Sequence, residues 1–205
     1  MKEKIEKLEI LTPIEFKKAS KLIKEAKENA KYEYGCIMAR VDQQVQRPGL
    51  NVAHLYKPED DRYGIEEFQH CTILYGLLPS VKEEDVLSFL KLIKMPTIFL
   101  TGISLFSNPE FDVVKYDVDC KELHLLNNLC KLQFEYFSTF PTYIPHLTIA
   151  YMLPGTGAEY IRTFDEPIPL QISAWTYSQA DGRKIEVDNK GEIILLRDSR
   201  IETTS

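Results

Sequence analysis

The octapeptide HCTILYGL at 70–77 returns, little changed, as HLTIAYML at 146–153. Histidine, threonine, isoleucine, tyrosine and leucine hold the same five places, and the two copies take two of the chain's four histidines. An extended chain turns successive side chains to opposite faces. His70, Thr72 and Leu74 then share one face, and Cys71, Ile73 and Tyr75 the other. In the second copy His146, Thr148 and Ala150 lie opposite Leu147, Ile149 and Tyr151. Each copy predicts a strand with one apolar face for a core and one face carrying a histidine and a threonine about 7 Å apart. The matched tyrosines fall on the core face and read mainly as packing.

The rest of the chain arranges itself around these two strands. Thr12-Pro13-Ile14-Glu15 can cap and open a helix, continued at helical spacing by Ile14, Phe16, Ala19, Leu22, Ile23 and Ala26. Residues 35–41, GCIMARV, read as a buried strand. Residues 42–68 hold Pro48, Gly49, Pro58, Gly64 and the run KPEDDRYG, and form a long loop: a functional segment or a solvated insertion. Ser80-Val81-Lys82-Glu83 predicts a capping box and a helix to about Lys94. Strands follow at 97–106 and 111–119, a helix at 120–135, the second repeat strand, a short helix at 157–163, and strands at 168–178, 183–187 and 192–196. Residues 197–205 read as a mobile tail. Strand–helix–strand follows both repeat strands, which predicts an α+β chain of two similar lobes. No low-complexity linker separates them, so 1–205 reads as a single bilobal domain.

Composition narrows the function. The balance of 25 basic against 31 acidic residues gives a net charge of −6. A broad cationic face for long nucleic acid is therefore not expected. A small anionic ligand remains possible, because a few directed donors decide its binding. No stretch approaches the roughly 20 apolar residues of a membrane span, and MKEKIEKLEI lacks a secretion core. The four cysteines, 36, 71, 120 and 130, show no zinc spacing and read as reduced thiols of a cytoplasmic protein. No signal for an obligate protein partner is present.

A lone His-x-Thr is a weak signal, since strand histidines are usually surface or satisfied core residues. Two copies in matched apolar frames are a stronger one. Histidine titrates near neutrality, so one ring can accept a proton while another donates one. A phosphodiester beside a ribose 2′-hydroxyl needs both services, and two threonine hydroxyls can donate to its non-bridging oxygens. That chemistry requires no metal and no cofactor.

The doubled motif resembles that of the 2H phosphoesterase superfamily. The resemblance implies a bilobal α+β fold, two antiparallel sheets flanking a central groove with helices outside. It also implies action on 2′,3′-cyclic phosphates, 2′–5′ linkages and related RNA ends without metal. His70 and Thr72 match its first motif, and His146 and Thr148 its second. EYGCIMA (33–39), RYGIEEFQHCTILYGL (62–77) and YIPHLTIAYMLPG (143–155) further resemble the phage anti-CBASS phosphodiesterases. That likeness implies cyclic di- or trinucleotide substrates, 3′-phosphate products and the host cytoplasm. The alternatives are an RNA-end 2′,3′-cyclic phosphodiesterase and a non-catalytic protein that sequesters cyclic nucleotides. Cys71 stands where an apolar residue is commoner, and a buried thiol suits that place as a small hydrophobe.

Base recognition calls for aromatics or edge acceptors. Trp175 and Tyr177 share a strand face and are candidate platforms or a core pair; Tyr34 is a similar candidate. Glu67, with Glu66, stands before His70 and could orient a ring, bind a sugar or base, or remain solvated. Arg62, Arg162 and Arg183 are candidates for a second phosphate. His54 is expected in solvent and His124 on a helix face.

Overall fold

The computed structural model describes residues 32–196 other than 44, 61 and 141. The helix expected at 12–26 and the tail at 197–205 lie outside the described residues. The strands are β1 (Gly35–Arg40), β2 (His70–Leu77), β3 (Thr97–Ser107), β4 (Asp112–Asp119), β5 (His146–Met152), β6 (Arg162–Gln171), β7 (Ala174–Ser178), β8 (Lys184–Asp188) and β9 (Ile193–Leu196). The α-helices are α1 (Glu83–Lys91) and α2 (Lys121–Gln133), and short 3₁₀ turns occur at Val52–His54 and Gly157–Tyr160. The helix expected at 157–163 is thus only the second of these turns. The strand expected at 168–178 is two strands, broken at Ile172-Ser173.

The strands form one nine-stranded sheet in the order β6-β3-β4-β5-β2-β1-β7-β8-β9. Two separate sheets are therefore a correction. The halves stay joined because β2 and β5 pair antiparallel at one position, Cys71 with Leu147, and both side chains are fully buried. Burial raises the Cys71 thiol to about 11, so it packs as an uncharged hydrophobe.

Past that junction each repeat strand carries a β-bulge at the same motif position. β2 pairs Met38 with Thr72 but Ile37 with Leu74, leaving Ile73 as the extra residue. β5 pairs Lys115 with Thr148 but Val114 with Ala150, leaving Ile149 extra. A bulge shifts the alternation by one residue. Leu74 and Ala150 consequently join the core, 3% and 0% exposed. Tyr75 and Tyr151, expected on the core face, turn to the histidine face; Tyr75 is 46% exposed. The bulges leave carbonyls outside the ladder, and buried polar groups need partners. Ile73 O accepts from Asn127 Nδ2 of α2 at 2.6 Å, which accounts for a buried asparagine on that helix. Ile149 O accepts from Glu66 N–H at 3.0 Å.

Residues 42–68 are not a detached insertion. Beyond the junction the loop takes the place beside β5 that β2 vacates. Tyr56 N–H donates to Tyr151 O at 2.9 Å, Tyr151 N–H to Gly64 O at 2.8 Å and Leu153 N–H to His54 O at 2.7 Å. The vacated flank of β2 is filled alike by 135–137, where Phe137 N–H donates to Gly76 O at 2.8 Å and Leu78 N–H to Glu135 O at 3.1 Å.

The helices cover the apolar face of the sheet. α1 buries Val86, Leu87 and Leu90, and α2 buries Leu123, Leu126 and Cys130. Each full burial of such a Leu or Val contributes about 1.5–3 kcal/mol. The capping box expected at α1 does not form: Lys82 caps without a side-chain bond, and Ser80 Oγ donates to Glu135 Oε2 at 2.8 Å. The Glu83 carboxylate turns instead to Gln179 and Arg183.

Candidate active site

The junction pair fixes the site. Extending the antiparallel Cys71–Leu147 register by one residue each way sets His70 beside Thr148 and Thr72 beside His146. The two motifs thus interlock about an approximate two-fold axis. Diagonal neighbours on paired strands lie about 7–8 Å apart, so both imidazoles and both hydroxyls border one small patch of the open face.

Both rings are aimed by their own chain. His70 Nδ1 lies 2.9 Å from Phe68 O, and His146 Nδ1 lies 2.7 Å from Ile144 O. A carbonyl can only accept, so each Nδ1 carries the proton and each Nε2 is directed away as the working nitrogen. The neutral tautomer is set identically in both copies.

The surroundings are not identical. Opposite His70 on β1 is Arg40, whose guanidinium pairs with Glu186 at 2.6 Å and with Asp42 at 2.7 Å. Opposite Thr148 and His146 on β4 are Lys115 and Asp117. Lys115 is 2% exposed; its Nζ donates to Ser104 Oγ and to Asp117 Oδ1, both at 2.6 Å, and lies 4.4 Å from the centre of the Phe106 ring. Phe106 in turn packs edge-on against His146 at 4.9 Å. Burial chiefly, with the charges of Lys115 and His70, holds His146 below the ordinary histidine range; the Ile144 carbonyl and Asp117 act the other way. The surroundings of His146 thus favour its neutral form. Met38 holds the place on β1 that Lys115 holds on β4. Lys115→Met is accordingly expected to move the acid limb of kcat/KM to higher pH, since it removes a cation and leaves the Asp117 charge held only by the Ser104 hydroxyl. A pH–rate profile unchanged in that variant would show that Lys115 does not tune His146.

The other candidate residues separate. Trp175 and Tyr177 lie on the core face, 0% and 5% exposed, with Trp175 Nε1 donating to Ile93 O at 3.1 Å. Neither offers a ring face to a ligand, which corrects their reading as platforms: their parity on β7 matches Ala39 and Ile37 of the core. Tyr34 stacks on Phe137 at 5.9 Å and meets Tyr75 edge-on at 6.1 Å, beyond the Thr72 end of β2. Tyr151 anchors the matching cluster on β5, with Tyr63, Phe111 and Tyr56. Glu67 is exposed and, with Glu66, Phe68, Tyr63 and Tyr151, lines a cavity of about 500 Å³ under the loop. The His/Thr patch lies outside that lining, in the open face beside it. Arg162 and Arg47 line a separate cavity of about 330 Å³. Arg62 bonds Asp60, and Arg183 bonds Asp181 and Glu83. His54 is half-buried, with Glu159 at 3.8 Å; His124 is exposed on α2 against Tyr143.

Sequence reasoning passed over Lys115, Asp117 and Phe68. The signal for the first two was present in VVKYDVD, where a lysine and an aspartate two apart share the polar face of an otherwise apolar strand. Among the described residues no group of three or more His, Cys, Asp or Glu side chains gathers as a metal site, and no helix is long and apolar enough to cross a membrane.

No family model matches the chain, and no curated protein does. Among solved structures it is similar to E. coli LigT complexed with 3′-AMP, at 18% identity and a TM-score of 0.45 over 80% of this chain and 95% of that one. It is also similar to E. coli LigT complexed with NADP+, at 17% identity and a TM-score of 0.44 over 82% and 96%. A third is a protein described as a phosphoesterase, at 17% identity and a TM-score of 0.40 over 80% and 96%. The functional reading rests on this chain's own residues.

Proposed function

We propose that this chain is a metal-independent phosphodiesterase of the 2H type that opens the 3′–5′ linkages of cyclic di- and trinucleotide messengers, serving as a phage counter-defence (anti-CBASS) enzyme in the host cytoplasm. The observation that carries the reading is the interlocked pair of His-x-Thr motifs, each with Nδ1 tied to its own chain and Nε2 directed outward. The anti-CBASS assignment adds the sequence likeness around Tyr34, His70 and His146.

In this reading neutral His146 takes the ribose 2′-hydroxyl proton at Nε2 as the 2′-oxygen attacks phosphorus. Protonated His70 gives its proton to the departing 5′-oxygen as the P–O5′ bond breaks. A 2′,3′-cyclic phosphate results. Water then adds with the two roles exchanged, the P–O2′ bond breaks, and a linear product with a 3′-phosphate leaves. Thr72 and Thr148 donate to the non-bridging oxygens where negative charge concentrates. The depressed pKa of His146 suits it to the first proton removal at neutral pH.

The test is incubation with a panel of cyclic di- and trinucleotides, plus a 2′,3′-cyclic-ended oligomer, in excess chelator with products read by mass spectrometry. Linear 3′-phosphorylated products from the cyclic compounds are expected. Turnover of the oligomer alone would move the substrate to RNA ends. Recovery of intact ligand only would make the protein a binder.

A further inference from the structure

We propose that the cavity of about 500 Å³ under the 42–68 loop is a nucleobase pocket selective for guanine, in which Phe68 supplies the stacking face and the carboxylates of Glu66 and Glu67 accept from the base edge. The base's place in turnover rests on the phosphodiesterase reading; the pocket's chemistry does not.

Phe68 is 64% exposed, Gln69 is 7% exposed and His70 is half-buried. That alternation puts the Phe68 ring on the same side as the His70 imidazole, and the Phe68 carbonyl is the group that orients that imidazole. The nearby rings of Tyr56, Tyr63, Phe111 and Tyr151 pack against one another, and Phe68 takes part in none of those ring pairs. It is exposed and lines the cavity. Stacking on such a ring accepts any base, so selectivity must come from the polar lining.

That lining is acidic: Glu59, Asp60, Glu66 and Glu67, with Arg62 held by Asp60 at 2.7 Å. A phosphate would be repelled there, whereas a neutral base would not. Guanine presents two adjacent donors, N1–H and N2–H, to a carboxylate. Uracil presents one N–H flanked by two carbonyl oxygens, which would face the negative charge. Glu66 is fixed for the task. Its Oε1 accepts from Phe68 N–H at 3.2 Å, and its own N–H is bound to Ile149 O, next to Thr148. The pocket therefore begins beside the His70–Thr148 side of the reacting patch, where a nucleoside joined to the bound phosphate has its base.

Calorimetric titration of the His146→Ala protein with cyclic di-GMP and cyclic di-UMP separates binding from turnover. The guanine compound is expected to bind at least about tenfold more tightly. Adding Phe68→Ala, or Phe68→Leu to preserve apolar bulk, should weaken its binding by about tenfold. Adding Glu66→Gln should bring the guanine-over-uracil ratio toward one. Equal affinities for the two compounds, or a ratio that survives Glu66→Gln, overturns the pocket. Cleavage of both compounds by the parent protein without base preference leaves the phosphodiesterase reading intact and removes the pocket. Guanine-selective binding without cleavage has the opposite consequence.

Discussion

Replacing His70 or His146 with alanine is expected to lower kcat on a cyclic dinucleotide by about 10²–10⁴-fold in each case. Each ring moves one proton of the same step, so neither can cover for the other. The double variant should fall little below the worse single variant, because removing either partner already stops the concerted transfer. Folding should survive. Both rings are half-buried, and each gives up one hydrogen bond, to Phe68 O or Ile144 O, from a carbonyl that solvent can reach. Rates from product chromatography, set beside thermal melts, read both quantities. A parental rate in either variant excludes acid–base catalysis by this pair. His146→Ala should also change how stability responds to acid. The unfolded chain protonates His146 at the ordinary value of about 6.5, and the folded chain only at lower pH. Between those values the unfolded state holds more protons, so stability rises with pH through the window and is lost as pH falls. His146→Ala should flatten that slope below about pH 6.5.

The readable part of this molecule is the part governed by local alternation. His70, Thr72, His146 and Thr148 share the open face because period two holds from the histidine to the threonine in each copy. It fails one residue later. Nothing in HCTILYGL announces that Ile73 is an extra residue, since a bulge is decided by how Met38 and Ile37 meet the partner strand. Strict alternation therefore puts Tyr75 and Tyr151 on the wrong face and hides the aromatic clusters they anchor. Trp175 and Tyr177 raise a related problem. The sequence pairs them on one face of β7 but cannot say which, because that depends on the parity of β1 beside them. The loop at 42–68 carries no strand pattern. Its attachment to β5 comes from backbone groups such as Tyr56 N–H and Gly64 O, which leave no trace in side-chain identity. The single Cys71–Leu147 pair that joins β2 to β5 within one sheet is likewise a backbone fact.

The largest stability effect is expected at Gly76, within the first repeat strand. Its φ is +97°, a conformation that side chains rarely adopt. A Cβ added there would sit 1.8 Å from Phe137 O and 2.8 Å from Phe137 C. The obstacle is backbone, so no rotamer change relieves it. Segment 135–137 would have to withdraw from β2, with loss of the bonds from Phe137 N–H to Gly76 O and from Leu78 N–H to Glu135 O. Strained φ costs about 1–3 kcal/mol, and each lost hydrogen bond about 0.5–1.5 kcal/mol. Gly76→Ala should therefore destabilise by about 3–5 kcal/mol and lower Tm by roughly 10 °C for a chain of this size. Gly155 is the matched control: φ is +78° and nothing lies within 4 Å of an added Cβ. Gly155→Ala should show only the backbone strain. If the two variants melt together, the close approach of Phe137 contributes nothing. If Gly76→Ala melts well below Gly155→Ala, segment 135–137 is a stabilising strap on the free flank of β2, and its withdrawal should also part Tyr34 from Phe137. The methionine in the equivalent place of the second copy, Met152, shows why the repeat is imperfect there. β5 is flanked there by the 42–68 loop, which meets it through two isolated bridges, Leu55 with Met152 and Ile65 with Ala150, and not through a strap like 135–137.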